Sequence, residues 1–263
     1  MFIEARANRM LAAGAPQVAL YAHDNIGKVI ILNGAFEFEE LEALAAWLGD
    51  DHRGETMLDV GANIGNHAVY LAPHFRTVRA FEPHPQTFAL LAVNAGLRPN
   101  IECLNLGLSS AAGRAELRGR ARNLGGAAIV DAGAPPPRSD ETQVSIELRT
   151  LDACVGADET VGLIKIDVED HEHAVLVGAR QTILRCRPIV VFEQHFNHIR
   201  HGSSEVLELL RTYGYEKFAY IDRTPRFDVV LSFLWQCVFG YRFALIPITR
   251  LGRRNYKMLL ALP

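Results

Sequence analysis

Apolar and polar positions along this chain switch repeatedly between two periods. Short, largely apolar runs predict strands at Met57–Val60, Val78–Phe81, Ile101–Asn105, Leu163–Asp167, Ile189–Phe192, Glu216–Ile221 and Lys257–Leu262, with Leu163–Asp167 and Ile189–Phe192 read as buried. Between them, apolar residues recur at helical spacing. This predicts helices from about Asn66, over Gln86–Ala95, over Glu172–Leu184 (Val175, Leu176, Ala179, Ile183) and over Glu205–Tyr213. Gly96 and Gly214 stand where two of these helices should stop. Upstream, Lys28–Leu32 reads as a short strand. Glu39–Leu48 reads as an amphipathic helix carrying Leu41, Leu44, Ala45 and Leu48. Alternation of strand and helix implies the α/β class, with a parallel sheet covered on both faces.

Two stretches interrupt the alternation. In the first, at about 106–162, Ala111–Gly133 is rich in Gly, Ala and Arg, Ala134–Asp140 is a loop, and Val144–Arg149 alternates like an exposed strand. It reads as an insertion over the C-terminal edge of the sheet, where open α/β folds bind ligands. The second, at about 223–256, holds the apolar run Val229–Pro247, broken by Gln236, Gly240 and Arg242. A membrane-spanning helix needs about twenty mostly apolar residues without a central charge. The run therefore reads first as a hairpin packing on the domain or on a second copy of the chain. Its neighbours Arg250, Arg253, Arg254 and Lys257 keep a peripheral membrane contact through 229–254 as the second reading. The expected organisation is an N-terminal cap, 1–50, and one main domain, 51–263, with these two insertions.

Composition narrows the class. A chain of 263 residues, 49% hydrophobic, supports a large core. The net charge of -3 disfavours a nucleic-acid binder, which needs a basic surface. Cys103, Cys154, Cys186 and Cys237 are far apart and form no C-x-x-C pair, so a reduced compartment is expected. The N-terminus carries Glu4 and no long apolar run and does not read as a signal peptide, so the expected location is cytoplasmic.

The chemistry gathers at two places. In LDVGANIGNH (58–67) a strand runs through Asp59 into Gly61, Asn63 and Gly65, and Asn66 opens a helix. The next strand ends in Glu82, a place that suits the hydroxyls of a ribose. A nicotinamide or flavin site favours G-x-G-x-x-G. Here the spacing is G-x-x-x-G with Asn63 inside it, which fits S-adenosylmethionine better and leaves the nicotinamide reading as an alternative. The second place is IKIDVEDHEH (164–173): Asp167 ends a strand, Glu169, His171 and Glu172 follow within a turn, and Glu193 and His195 end the next strand. Buried acids are costly unless paired or used. Glu169 and His171, then Glu193 and His195, are the candidate general bases. His195, His198 and His201 lack the usual spacing of metal ligands, and no metal is expected. Arg118, Arg120 and Arg122 form a solvated face or meet an anionic substrate.

Four segments, LDVGANIGNH, FEPHP (81–85), IKIDVEDHEHAVLVGA (164–179) and PIVVFEQH (188–195), together resemble the FkbM family of S-adenosylmethionine-dependent methyltransferases. Asn94, Leu108-Ser109, Thr150-Leu151-Asp152 and the terminal LLALP are smaller matches. The resemblance implies a class I, Rossmann-like sheet of seven strands, order 3-2-1-4-5-7-6, with strand 7 antiparallel and helices on both faces. It implies methylation of a hydroxyl on a sugar, glycolipid or natural product, the partner being a small-molecule or glycan acceptor. It also implies a cofactor site. Asp59, Gly61, Asn63, Gly65 and Asn66 form its loop, Glu82 holds the ribose, Pro83, His84, Asn105 and Leu106 flank the adenine, and Asp167 meets the ammonium or the acceptor. The chain departs from the family at Asp170, where a glycine is usual. A cofactor-binding module without turnover is the other alternative.

Overall fold

Leu58 and Val60 face one hydrophobic cluster and Met57 the opposite one, so the strand that carries them is buried on both sides. That is why the central strands read as largely apolar runs. The computed structural model describes residues 17–120, 123–130, 133–224 and 242–263. Its main sheet contains β1 (Thr56–Val60), β2 (Thr77–Phe81), β3 (Ile101–Leu104), β8 (Val161–Ile166), β9 (Ile189–Gln194), β10 (Lys217–Thr224), β11 (Arg242–Ile248) and β12 (Tyr256–Leu262). The spatial order is β11-β10-β12-β9-β8-β1-β2-β3. Strands β3, β2, β1, β8 and β9 run parallel, and β12 is antiparallel to both β9 and β10. Seven of these strands follow the 3-2-1-4-5-7-6 order.

The eighth strand was not foreseen. β11 pairs antiparallel with β10 at the sheet edge, and Phe243 and Leu245 pack on the core. Residues 242–247 of the apolar run therefore belong to this edge strand, while 229–241 lie outside the described residues. Among the described residues no helix is long and apolar enough to cross a membrane.

Helices cover both faces. α2 (Phe38–Leu48), α3 (Asn66–Leu71) and α4 (Pro85–Ala95) pack on the Met57 side. On the Val60 side lie α5 (Glu172–Gly178), α6 (Arg180–Cys186) and α7 (Glu205–Thr212). Glu172–Leu184, expected as one helix, is thus two. A Cβ on Gly178 would sit 2.1 Å from the Ser109 carbonyl, so the backbones touch where the helix breaks. The Asp152 carboxylate then accepts the amides of Gln181 (2.9 Å) and Thr182 (2.8 Å) and caps the second piece.

Lys28–Leu32, expected as a strand, lies in helix α1 (Asn25–Asn33). The β-branched run is a local signal, and the caps override it. Asp24 accepts the Ile26 amide at one end, and Gly34, at φ +90°, closes the other. The 106–162 stretch forms a second sheet, order β4-β7-β5-β6, from β4 (Gly107–Leu108), β5 (Gly113–Arg120), β6 (Asn123–Val130) and β7 (Glu141–Arg149). Its Gly- and Ala-rich part builds a hairpin because small residues let the strands close: a Cβ at Gly119 would lie 2.8 Å from that of Ala127.

The N-terminal residues are tied to the main domain by buried polar side chains. Asn94 accepts the Ala19 amide (2.6 Å) and donates to the carbonyls of Ala19 (2.9 Å) and Ile64 (2.7 Å). Asn66 makes a matching pair with the Phe36 backbone, both bonds 2.9 Å. Asn94→Ala removes all three bonds of a buried side chain and leaves backbone groups unpaired, each worth about 1–3 kcal/mol. The expected loss in urea unfolding is about 2–4 kcal/mol. A loss below about 0.5 kcal/mol would show that the tether carries no stability.

Candidate active site

A cavity of about 280 Å³ opens at the C-terminal ends of β1, β2 and β8. Its floor is the loop Gly61–Ile64, and Glu82 and Pro83 form one side. Asp167, Glu169 and His171 form another. Asn25, Ile26 and Phe36 close it from the N-terminal segment, and Leu117, Ile129 and Ile146 of the second sheet cover it.

The glycine loop is shaped mainly by its neighbours. Gly61 has φ +76°, and a Cβ there would lie 1.9 Å from the Asp167 carbonyl. Gly65 has φ +89°, with Leu91 2.8 Å from a would-be Cβ. Both positions exclude other residues before any ligand is considered. Asn63 also adopts a left-handed conformation, at φ +52°, and its Oδ1 accepts the Ile64 amide. Every amide of the loop has a protein acceptor. Gly61 and Ala62 donate to the Phe81 carbonyl, Gly65 to the Ala62 carbonyl, and Asn63 to Glu82 Oε2 at 2.9 Å.

Glu82 is the best-held acid of the site. Oε2 accepts the Asn63 amide and Oε1 the His84 amide (2.8 Å), so each oxygen keeps capacity for a further hydrogen bond. Burial pushes its pKa up to about 7, against the two amides and the Lys165 charge. Pro83 and Leu106 line the cavity, whereas His84 and Asn105 do not. Asn105 instead donates to the carbonyls of Glu82 (2.8 Å) and Pro83 (3.1 Å), fixing that turn from behind. Asn66 reaches the wall, but its amide is spent on Phe36. Asp59 is fully buried beneath the cavity, where Lys165 Nζ lies 3.4 Å from its Oδ1. The structure thus places Asp59 under the ligand space and Asn105 behind it.

Lys165 is a residue that the sequence reading missed. It lines the cavity and bridges Asp59 to Asp167, 3.2 Å away. Burial would lower its pKa, but Asp167, Asp59 and Glu37 together raise it, so it stays charged. In turn, burial would raise Asp167, and Lys165 and His67 more than offset this. The available signal was a lone lysine inside the otherwise apolar run Leu163–Ile166.

The remaining acids are poised differently. Burial, then the Asp167 charge, raise both Glu169 and Glu193, the latter to about 7. Glu193 Oε1 lies 3.2 Å from His195 Nε2. His171 sits 2.9 Å from Ser109 Oγ, and burial lowers its pKa, keeping the ring neutral near pH 7. Glu169 and Asp170 are consecutive left-handed residues at φ +46° and +68°. Asp167, Glu169, His171 and Glu193 share the cavity. His195 lies in an adjoining cleft that also borders Glu193. His198 pairs with Asp170 there at 3.2 Å. Among the described residues no three His, Cys, Asp or Glu side chains are placed to hold a metal ion.

The sheet order and this cavity at its C-terminal edge define a class I methyltransferase fold. Residues 59–217 match the methyltransferase FkbM domain, and the chain belongs to that family. It is 30% identical over 240 residues to 31-O-demethyl-FK506 methyltransferase FkbM of Streptomyces tacrolimicus, covering 79% of this chain and 89% of that one. It is 29% identical over 155 residues to hexuronic acid methyltransferase AglP of Haloferax volcanii, covering 58% of this chain and 61% of that one. The crystal structure of methyltransferase FkbM from Methylobacillus flagellatus aligns at 16% identity and a TM-score of 0.42, covering 90% of this chain and 61% of that one. The chain thus spans about three fifths of the length of the latter two proteins.

The raised pKa of Glu82 makes stability depend on pH. The folded state binds a proton that the unfolded state releases above its ordinary value of 4.5, so stability falls as pH rises from there through about 7. The full effect is on the order of 3 kcal/mol. Urea unfolding between pH 5 and 8.5 should show the loss in the ligand-free protein. Glu82→Gln should flatten the slope, although one amide then faces a nitrogen. Equal slopes for both proteins would remove Glu82 as the cause.

Proposed function

We propose that the chain is an S-adenosylmethionine-dependent O-methyltransferase acting on a hydroxyl of a sugar or other polyhydroxylated acceptor. The observation that carries this reading is the donor set of the cavity. A pyrophosphate needs free backbone amides, and the glycine loop has spent its own at Gly61–Gly65. The cavity offers carboxylates instead. Glu82 suits a ribose diol, the apolar side with Pro83 and Leu106 suits a base, and Asp167 suits a cation. This fits a cationic nucleoside and counts against a nicotinamide dinucleotide. The two curated relatives are named for methylation of a hexuronic acid and of the FK506 macrolide, which supports an oxygen-rich acceptor.

When bound, S-adenosylmethionine supplies a methyl group on a sulfonium carbon open to in-line displacement. Glu82 orients the ribose by accepting its hydroxyls. Asp167, kept ionised by Lys165, holds positive charge at the cavity's acidic side. Ile26, Phe36 and the second sheet exclude water. A sugar hydroxyl is a weak nucleophile until its proton is leaving. A carboxylate oxygen of Glu193 or Glu169 takes that proton, because both have pKa values raised toward neutrality. His171, oriented by Ser109, positions the acceptor or relays the proton. A module that binds cofactor without turnover has no use for these residues.

Calorimetric titration should show binding of S-adenosylmethionine and none of NAD; the reverse would overturn the cofactor assignment. Methyl transfer from labelled cofactor should be screened over sugars, glycolipids and hydroxylated metabolites. With an acceptor found, Glu193→Gln and Glu169→Gln should each be assayed at retained cofactor affinity. At least one should lose about 10²–10⁴-fold in kcat. Undiminished turnover in both would remove them as bases. The base must be unprotonated, so kcat/KM should rise with pH and level off above about 7. A profile falling over that range would contradict the assignment.

A further inference from the structure

A second, shallower cleft adjoins the rim of the cavity, lined by His23, Asn25, Lys28, Arg120 and Asn123. Asn25 and Asn123 also line the cavity, so the two spaces share a wall. Three of the five lining residues are basic and none is acidic. His23, Lys28 and Arg120 are all exposed. The nearest acid in sequence, Asp24, is buried and turned inward to cap α1 through the Ile26 amide. Two positions earlier on β5, Arg118 is already engaged with Gln143 and the Pro135 carbonyl. Lys28 and Arg120 have no carboxylate partner among the described residues.

The arrangement sorts charge. Inside, the one lysine, Lys165, is paired with Asp59 and Asp167, and Glu82, Glu169 and Glu193 add further carboxyl groups, whereas the rim presents cations without a carboxylate partner among the described residues. A positively charged methyl donor belongs inside. A negative group belongs outside, on a ligand that extends out of the cavity into solvent. We infer that Lys28 and Arg120, with His23 beside them, hold a carboxylate or phosphate carried by the methyl acceptor, so that the enzyme selects acidic sugars over neutral ones. This rests on the methyl-transfer reading of the adjoining cavity. The two asparagines add hydrogen-bond donors at the boundary, where the uncharged part of such an acceptor passes inward.

The test is a ligand-observed NMR titration of the full chain, with and without S-adenosylhomocysteine, using glucuronate, glucose 6-phosphate and glucose as probes. At low salt, at least one anionic sugar should bind about tenfold more tightly than glucose, and salt should erode the difference. Which of the two wins separates a sugar acid from a sugar phosphate. The double variant Lys28→Ser/Arg120→Ser should erase the preference while melting temperature and S-adenosylhomocysteine affinity stay unchanged. The charge-preserving pair Lys28→Arg/Arg120→Lys should keep it. The inference is overturned if neither anionic sugar binds better than glucose or if the preference survives in the double variant. Loss of S-adenosylhomocysteine affinity in the double variant also overturns it, by assigning the cations to the cofactor's own carboxylate. A wild-type chain that binds no S-adenosylhomocysteine would instead sink the cofactor reading, and the titrations without it would still decide the anion site.

Discussion

Lys165 holds the acidic end of this molecule together. Its ammonium stands between Asp59, sealed beneath the cavity, and Asp167 on the cavity wall. Adjacent strands bring all three to one place, since Asp59 on β1 is in register with Lys165 on β8. Without the lysine, two carboxylates would face each other out of reach of bulk water. Burial would then drive at least one of them to take up a proton. With it, Asp167 stays charged, and that charge helps raise the proton affinity of Glu169 and Glu193 nearby. One side chain thus sets which acids are fixed charges and which can exchange protons.

The backbone geometry beside it is just as constrained. Gly61 allows the β1 loop to touch the Asp167 carbonyl, and Asp167 in turn donates its amide to Val60. The turn that follows passes through two left-handed non-glycine residues, Glu169 and Asp170. Such positions each cost on the order of 1–3 kcal/mol and persist only where surrounding contacts hold them. Here the Glu172 carboxylate, which accepts the Val168 amide, and the helix that starts at Glu172 supply those contacts. From this turn Glu169 lines the cavity.

Much of this was legible in the sequence, for identifiable reasons. Strands buried on both faces leave largely apolar runs, so β1, β2, β8 and β9 were readable, and with them the sheet edge where Glu82, Asp167 and Glu193 meet. The errors fall where a distant contact decides. Lys28–Leu32 carries a strand-like composition, yet Asp24 and Gly34 at its ends make it a helix. Nothing local in Glu172–Leu184 announces the Ser109 carbonyl that breaks it at Gly178. Asp59 and Asn105 stood in cofactor-site motifs, but only three-dimensional packing shows that one lies under the cavity and the other behind it. Asn94 and Asp152 looked like minor matches and proved to be a tether and a trans-acting helix cap.

The N-terminal tether has a consequence for how the molecule could be divided. A chain begun at Thr56 would keep every strand of both sheets and still lose one side of its ligand space, the side formed by Asn25, Ile26 and Phe36. It would also leave Asn66 and Asn94 with unanswered hydrogen bonds beside the glycine loop. The smallest unit that encloses the cavity is therefore larger than the sheet, and the border of the domain runs through the segment that closes it.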